Sequence, residues 1–306
     1  MRPVTVVVVS YGSAALLREN LAPLTRSAPH LSVVVVDNRT DDAERALLVA
    51  LAAGEGWATV LPDSNTGFGG GMNLGVARAL DDGADRLLLL NPDATVDQAS
   101  VEGLAAVVDE EALTLAAPRI LRPDGSVWFA GSDLYLADGR IRSRRRRLDG
   151  AEVEEWLSGA CLMLSRELWE VTGGFDEGYF LYWEDVDLSH RVRAAGGALR
   201  VVEEATAVHA QGGTQGSAGA HGAGEAKSAT YYRYNIRNRL LFAARHLDTP
   251  TLVAWRRLTP RVAWEVLLQG GRRQFVTSPG TLLVGLRAVL EGRGIAAQEL
   301  RRRARP

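Results

Sequence analysis

Cysteine is nearly absent from this 306-residue chain, where Cys161 stands alone. A single thiol excludes an intramolecular disulfide framework and any zinc site built on clustered cysteines, and a reducing cytoplasm is the compartment expected. Lysine is as scarce: Lys227 is the one example, so almost all positive charge is arginine. No run of about 18 uncharged apolar residues occurs, so no transmembrane helix is expected. The valine-rich residues 4–9 are too few for a signal-peptide core, and their β-branching favours a strand. Nor is the chain poor enough in apolar residues for disorder, with 46% hydrophobic and 24% charged.

The formal net charge of −2 conceals an asymmetry. Residues 231–306 carry 15 arginines against four acids, whereas residues 1–230 carry 20 basic and 33 acidic groups. An acidic body over 1–230 and a basic helical extension over 231–306 is the domain division this implies. A basic tail on an acidic body points to a polyanionic partner, either nucleic acid or anionic lipid.

Within the body, short apolar runs at 4–9, 33–36, 57–61, 86–90 and 113–117 alternate with segments of helical spacing, such as Met72, Val76, Ala79 and Leu80. Continuous apolar strands alternating with helices predict an α/β fold, a mostly parallel sheet flanked by helices. Residues 119–150 interrupt the alternation with turn signals at Pro123-Asp124-Gly125 and Asp138-Gly139 and a basic run at 142–147, and read as a hairpin-like surface excursion. Further strands and helices are expected at 160–164, 166–172, 185–195 and 199–202. Six glycines in 211–224 predict a mobile loop. The last 76 residues read as helices divided by Pro250, Pro260 and Pro279.

Ligands of open parallel sheets bind beyond the carboxyl ends of the strands. Those positions hold Ser10-Tyr11, Asp37-Asn38 and Asn91-Pro92-Asp93. Asp37 suits a ribose ligand or, equally, a helix cap. Gly67-Phe68-Gly69-Gly70-Gly71 precedes a helix expected to start near Met72, and glycines there let backbone amides approach an anion. Neither a Walker loop nor a dinucleotide fingerprint fits this cluster. Asp93 is a hard oxygen ligand of the kind Mg²⁺ takes, but one carboxylate is too few. In Tyr182-Trp183-Glu184-Asp185-Val186-Asp187, three acids begin a helix beside two large aromatics. Helix dipoles favour acids there, and aromatics beside a carboxylate also suit a sugar ring and a raised pKa.

These pieces, in this order, resemble an inverting glycosyltransferase of family 2 with the GT-A fold, in its bacterial rhamnosyltransferase-like and galactofuranosyltransferase-like branch. The resemblance spans residues 4–245 and rests on Val8-Val9-Ser10-Tyr11, Val36-Asp37-Asn38, Asn65 through Gly75, Leu90-Asn91-Pro92-Asp93, Trp156 through Met163, Gly173 through Glu177, and Glu184-Asp185, with His209 and Gly212 beyond. It implies a donor pocket of Tyr11, Asp37, Asn65, Gly67, Asn73 and Asn91. Asp93 and His209 would be metal ligands for Mg²⁺ or Mn²⁺, with Asn91 standing where the family has the first aspartate of Asp-x-Asp. Asp185 would be the catalytic base, with Trp183 and Glu184 toward the acceptor. The implied donor is a nucleoside-diphosphate sugar, dTDP-rhamnose ahead of a UDP-sugar, and the implied acceptor a glycan or polyprenyl-linked glycan. An anionic membrane surface at the inner face of the plasma membrane would suit helices bearing Trp255, Trp264, Arg256, Arg257, Arg272 and Arg273. Two alternatives stand beside this: a tailoring enzyme for a soluble natural product, and a nucleotidyltransferase or nucleic-acid-binding α/β protein. No nucleic-acid-reading motif is visible, and no nucleic-acid partner is expected.

Overall fold

The computed structural model describes residues 3–209 and 227–305, which form two compact units. The glycine-rich segment 211–224, including Gly212, lies outside the described residues.

The first unit comprises residues 3–132, 155–180 and 184–209. Its elements run β1 (Val4–Ser10), α1 (Ala14–Leu16), α2 (Ala22–Ser27), β2 (Ser32–Asp37), α3 (Asp42–Glu55), β3 (Ala58–Val60) and α4 (Gly67–Asp81). They continue with β4 (Arg86–Leu90), β5 (Ala94–Val96), α5 (Gln98–Glu110), β6 (Thr114–Leu121) and β7 (Val127–Phe129). The chain passes through β8 (Ser132–Tyr135), β9 (Arg140–Ser143) and β10 (Val153–Trp156), then resumes with β11 (Cys161–Ser165), α6 (Arg166–Thr172), α7 (Glu184–Ala194) and β12 (Ala198–His209).

The central sheet has the order β3-β2-β1-β4-β11-β6-β12-β5, with β7 on β6. Strands β3, β2, β1 and β4 are parallel, and the register sets Ser10 beside Asp37 and Val8 beside Leu90. Side-chain alternation splits the apolar strands between two faces. Val6, Val8, Val33, Val35, Leu88 and Leu90 pack with Leu48, Val101, Leu104 and Val108. Val7, Val9, Val34, Val36, Leu87 and Leu89 pack with Met72, Val76, Leu188 and Val192 on the other face. Both faces are thus covered, which is why these strands read as unbroken apolar runs. Strand β11 departs from the parallel pattern, running antiparallel between β4 and β6. Beyond β6, β12 is parallel to it, with a register shift between Val202 and Thr206, and antiparallel β5 closes the edge.

Helix α4 begins at Gly67, not near Met72, so most of the glycine cluster lies inside the helix. A Cβ on Gly71 would stand 2.9 Å from Val9 Cγ1, and one on Gly75 would stand 2.5 Å from Val7 Cγ1. These two glycines therefore let the helix backbone settle directly onto β1.

The second unit comprises residues 133–154, 181–183 and 227–305. It thus takes in two earlier stretches besides the C-terminal region expected from the charge split. Its helices are α8 (Ala229–His246), α9 (Thr249–Leu268), α10 (Gln274–Thr277) and α11 (Gly280–Arg303), and β10, β8 and β9 form a three-stranded sheet in that order. The expected surface excursion is thus a small folded sheet: Asp133 is fully buried and accepts from Arg147 Nη2 at 2.6 Å. Pro260 does not divide α9, which runs through it. Buried Leu252, Trp255, Thr259, Val262, Ala263 and Leu267 anchor both halves of that helix, outweighing a proline cost of about 3 kcal/mol. Trp255, expected at an interface, is fully buried beneath the Arg239 guanidinium, 4.7 Å from its ring centroid.

Candidate active site

The polar residues expected at the strand ends do converge in the first unit. Asp37 ends β2 and is buried, and its Oδ2 accepts from Arg45 Nε at 2.5 Å. Asn38, one residue on, is a structural hub that the sequence marked only as part of a motif. Its Nδ2 donates to the Gly67 carbonyl at 2.8 Å, and its Oδ1 accepts from Thr66 N at 2.8 Å and Thr66 Oγ1 at 3.0 Å. The Gly67 turn is further set by Asn65 Oδ1, which accepts from Gly67 N at 2.8 Å. Gly67 has φ +78°, and a Cβ there would lie 2.2 Å from the Phe180 carbonyl oxygen, so glycine is required. Asn73 is committed to structure: its Nδ2 donates to the Phe175 carbonyl and its Oδ1 accepts from Phe175 N, both at 2.9 Å. Tyr11 stands exposed just past β1.

Across the same sheet end, β4 runs into Asn91-Pro92-Asp93. Asn91 N donates to the Ala160 carbonyl at 3.0 Å, and Asn20 Nδ2 donates to the Pro92 carbonyl at 2.9 Å, fixing the turn. Strand β5 follows at once and pairs with the end of β12, Ala94 opposite His209. That pairing, unreadable from three residues of sequence, brings His209 Nε2 to 2.9 Å from Asp93 Oδ1 although 116 positions separate them. The Trp128 ring lies 4.8 Å from the imidazole.

Asp185 enters from the first turn of α7. Its Oδ2 accepts from Gly159 N at 3.0 Å and its Oδ1 from Val186 N at 2.8 Å. Gly159 is the neighbour of Ala160, which holds Asn91, so the 158–160 segment ties the Asn91–Asp93 turn to Asp185. Burial pushes the Asp185 carboxyl up to about 6, against the opposing pull of those amide donors. Burial first, then the charge of Asp185, hold Glu184 well above the ordinary carboxylate range. Three buried polar atoms here have no hydrogen-bond partner: Asn91 Oδ1, Glu184 Oε2 and His209 Nδ1.

Trp183 is not among the converging residues. It belongs to the second unit, where its ring packs 5.8 Å from Phe242 and 6.5 Å from Trp255, buried rather than open to a sugar. Tyr182 and Trp183 adopt φ of +63° and +75°, a left-handed pair costing roughly 1–3 kcal/mol each outside glycine. Asn238 on α8 holds them, its Nδ2 donating to the carbonyls of Leu181 at 3.0 Å and Tyr182 at 2.8 Å.

A mostly parallel sheet with a buried carboxyl–imidazole pair and a buried aspartate gathered at its carboxyl end is consistent with a glycosyltransferase of the GT-A type. The chain belongs to glycosyltransferase-like family 2, whose model matches residues 2–263. It is 30% identical over 232 residues to N-acetylglucosaminyl-diphospho-decaprenol L-rhamnosyltransferase of Mycobacterium tuberculosis, covering 67% of this chain and 75% of that protein. Rhamnosyltransferase WbbL of Escherichia coli is 23% identical over 224 residues, covering 67% of this chain and 83% of WbbL. Among solved structures, the mannosyltransferase PcManGT of Pyrobaculum calidifontis, in complex with GDP-Man and Mn²⁺, superposes with a TM-score of 0.55 at 17% identity, covering 98% of this chain and 86% of that one. TarS of S. aureus with UDP-GlcNAc gives the same score and identity, over 98% and 81%.

The residues present fit a divalent cation in part by their chemistry. Asp93 and His209 supply an oxygen and a nitrogen ligand, and Nδ1 of His209 and Oδ1 of Asn91 are buried without partners. No group of three or more His, Cys, Asp or Glu capable of holding a metal occurs among the described residues. A cation held by two side chains leaves the rest of its shell to water and substrate phosphates, the usual arrangement for Mg²⁺.

Proposed function

We propose that this enzyme transfers L-rhamnose from dTDP-rhamnose to a hydroxyl of a lipid-linked glycan, with inversion, using Asp185 as general base. The carrying observation is the Asp185 carboxylate, raised to about 6 by burial and tied through 158–160 to the Asn91–Asp93 turn. The rhamnosyltransferase relatives support the sugar, and the diphospho-decaprenol substrate in one relative's name supports a lipid-borne acceptor. Nucleotide sugars bound by the structural neighbours support the donor class.

In this reading Tyr11, Asp37 and the Gly67 turn line the nucleotide side, with Asn65 and Asn73 holding that turn and its neighbours in shape. Asp93 and His209 would hold the divalent cation, Mg²⁺ or Mn²⁺, which when bound supplies positive charge to the diphosphate leaving group. Asp185 accepts the proton of the attacking acceptor hydroxyl as the new glycosidic bond forms and the bond to phosphate breaks. Its raised pKa makes it a stronger base than an ordinary carboxylate while leaving it ionised at neutral pH. Gly159 N and Val186 N orient the two oxygens. Glu184, its carboxyl raised by burial, suits a hydrogen-bond donor toward the acceptor.

Calorimetry with dTDP and UDP, each with Mn²⁺ or EDTA, tests the donor side. Metal-dependent binding of dTDP is expected; preference for UDP would move the donor assignment, and no binding of either would remove it. For the base, Asp185→Asn is expected to keep dTDP affinity within about threefold while transfer falls about 10²–10⁴-fold. Parallel loss of both would overturn the assignment.

A further inference from the structure

Helix α11 in the second unit is built inside out. Its buried positions are the small residues Gly285, Ala288, Gly292 and Ala296, spaced three and four apart along one face. A Cβ on Gly285 would lie 2.8 Å from Leu267 Cδ1, and one on Gly292 would lie 3.2 Å from Leu240 Cδ1, so that face packs tightly on α9 and α8. The large apolar residues point the other way: Leu283, Leu286 and Leu290 are 60, 56 and 62% exposed, and Val276 in α10 is 85% exposed. At about 100° per residue the three leucines fall on the side opposite the small residues. Leu282 and Trp264 are exposed as well, with Trp264 stacked on Phe275 at 5.1 Å. A helix that needed its leucines for the core would have turned them inward.

The charge around these leucines is mostly positive, and Glu291, one turn beyond Arg287, is paired with Arg233. Between Glu265 and Glu291 there is no acidic residue, while Arg272, Arg273 and Arg287 are exposed there. Arg287 lies in the leucine stripe itself, and exposed Arg301 extends it 18 residues beyond Leu283. None of these four arginines has an ion-pair partner among the described residues, in contrast to Arg302 and Arg303, which share Glu299. Exposed leucines flanked by unpaired arginines match a layer whose outer part is anionic and whose inner part is hydrocarbon. No helix among the described residues is long and apolar enough to cross a membrane, so the contact is with the surface.

We propose that Val276, Leu283, Leu286 and Leu290, with Arg272, Arg273, Arg287 and Arg301, form a docking surface for an anionic lipid bilayer. Leucines enter the headgroup boundary and arginines meet the phosphates. Trp255, buried, has no part in this surface. The inference rests on the proposed function only for its purpose, which is to bring the enzyme to a lipid-borne acceptor.

The test is co-sedimentation of the full-length protein with phosphatidylglycerol–phosphatidylcholine vesicles, without donor or acceptor, alongside activity on a short soluble glycan without vesicles. Binding to the anionic vesicles is expected to exceed that to pure phosphatidylcholine about tenfold or more and to weaken with salt. The triple variant Leu283→Gln, Leu286→Gln, Leu290→Gln is expected to lose at least tenfold in partition, and Arg272→Gln with Arg273→Gln and Arg287→Gln to lose the salt dependence. Circular dichroism melts confirm that each variant is folded. Wild-type protein left in the supernatant, or a leucine variant that sediments like wild type, overturns the proposal. So does a leucine variant that dissociates a dimer in ultracentrifugation while vesicle binding stays unchanged, since the face then belongs to a second copy. Loss of soluble-glycan transfer in wild type would overturn the function and leave the docking surface standing.

Discussion

The two sides of the sheet's carboxyl edge are furnished with similar residues and treat them differently. On the β2–α4 side, Asn38 makes three hydrogen bonds, Asn73 uses both ends of its amide, and Asp37 is paired with Arg45. On the β4–β12 side, Asn91 and His209 each bury a polar atom that has no partner. Because burying an unsatisfied polar group costs about 1–3 kcal/mol, the first side's asparagines read as construction and the second side's free polar atoms as groups suited to a ligand. An asparagine in a motif can therefore be structure or site, and only its hydrogen bonds distinguish the two.

That contrast can be broken most forcefully at Asp185. Asp185→Asn, expected to cost about 10²–10⁴-fold in transfer, also removes the pH dependence that a raised carboxyl gives the fold. The ordinary value of 3.8 is raised to about 6 in the fold, so the folded state binds the proton more tightly than the unfolded chain. Stability is then lost as pH rises from about 4 to about 6, by an amount on the order of 3 kcal/mol, and stays lower above. The asparagine variant escapes this loss. Because its amide can accept from only one of Gly159 N and Val186 N, the expected signature is relative. Its melting temperature should gain on wild type between pH 4 and pH 7.5, and a difference that does not change with pH would contradict the raised pKa. Wild-type transfer, in turn, should fall about tenfold per pH unit below about 6 as the base is protonated.

Next in size is Asn38→Ala, which strands the Gly67 carbonyl and the Thr66 amide and should destabilise by about 3 kcal/mol in urea unfolding. A loss under about 1 kcal/mol would place Asn38 with the site residues. Third, His209→Ala should weaken Mn²⁺-dependent dTDP binding by about tenfold or more while binding in EDTA is unchanged; metal dependence equal to wild type would return the histidine to packing against Trp128. Smallest is the stability effect of Asn91→Ala, under about 1 kcal/mol because its Oδ1 bonds nothing, although turnover falls. A large unfolding change there would erase the distinction.

Much of the first unit was legible because continuous apolar runs can only be strands covered on both sides. The expected runs at 4–9, 33–36 and 86–90 lie within β1, β2 and β4. What escaped was decided by long-range pairing. Ala94-Thr95-Val96 is too short to show a period, yet it makes the edge that sets His209 beside Asp93. The antiparallel insertion of β11 leaves no trace in its own apolar sequence. Trp183 and Trp255 were read as surface aromatics because composition cannot tell a ring that meets a sugar from one that meets other rings. The glycine cluster was read as a loop, either for an anion or flexible and without a ligand, since sequence does not reveal how close the valines of β1 stand.

That closeness has an evolutionary consequence. With Gly71 and Gly75 lying against Val9 and Val7, the seat of α4 is made of main chain, and no side chain there can be exchanged for a bulkier one without lifting the helix off the sheet. Substitution can therefore vary the exposed face of α4, as at Leu74, but not the face laid on β1.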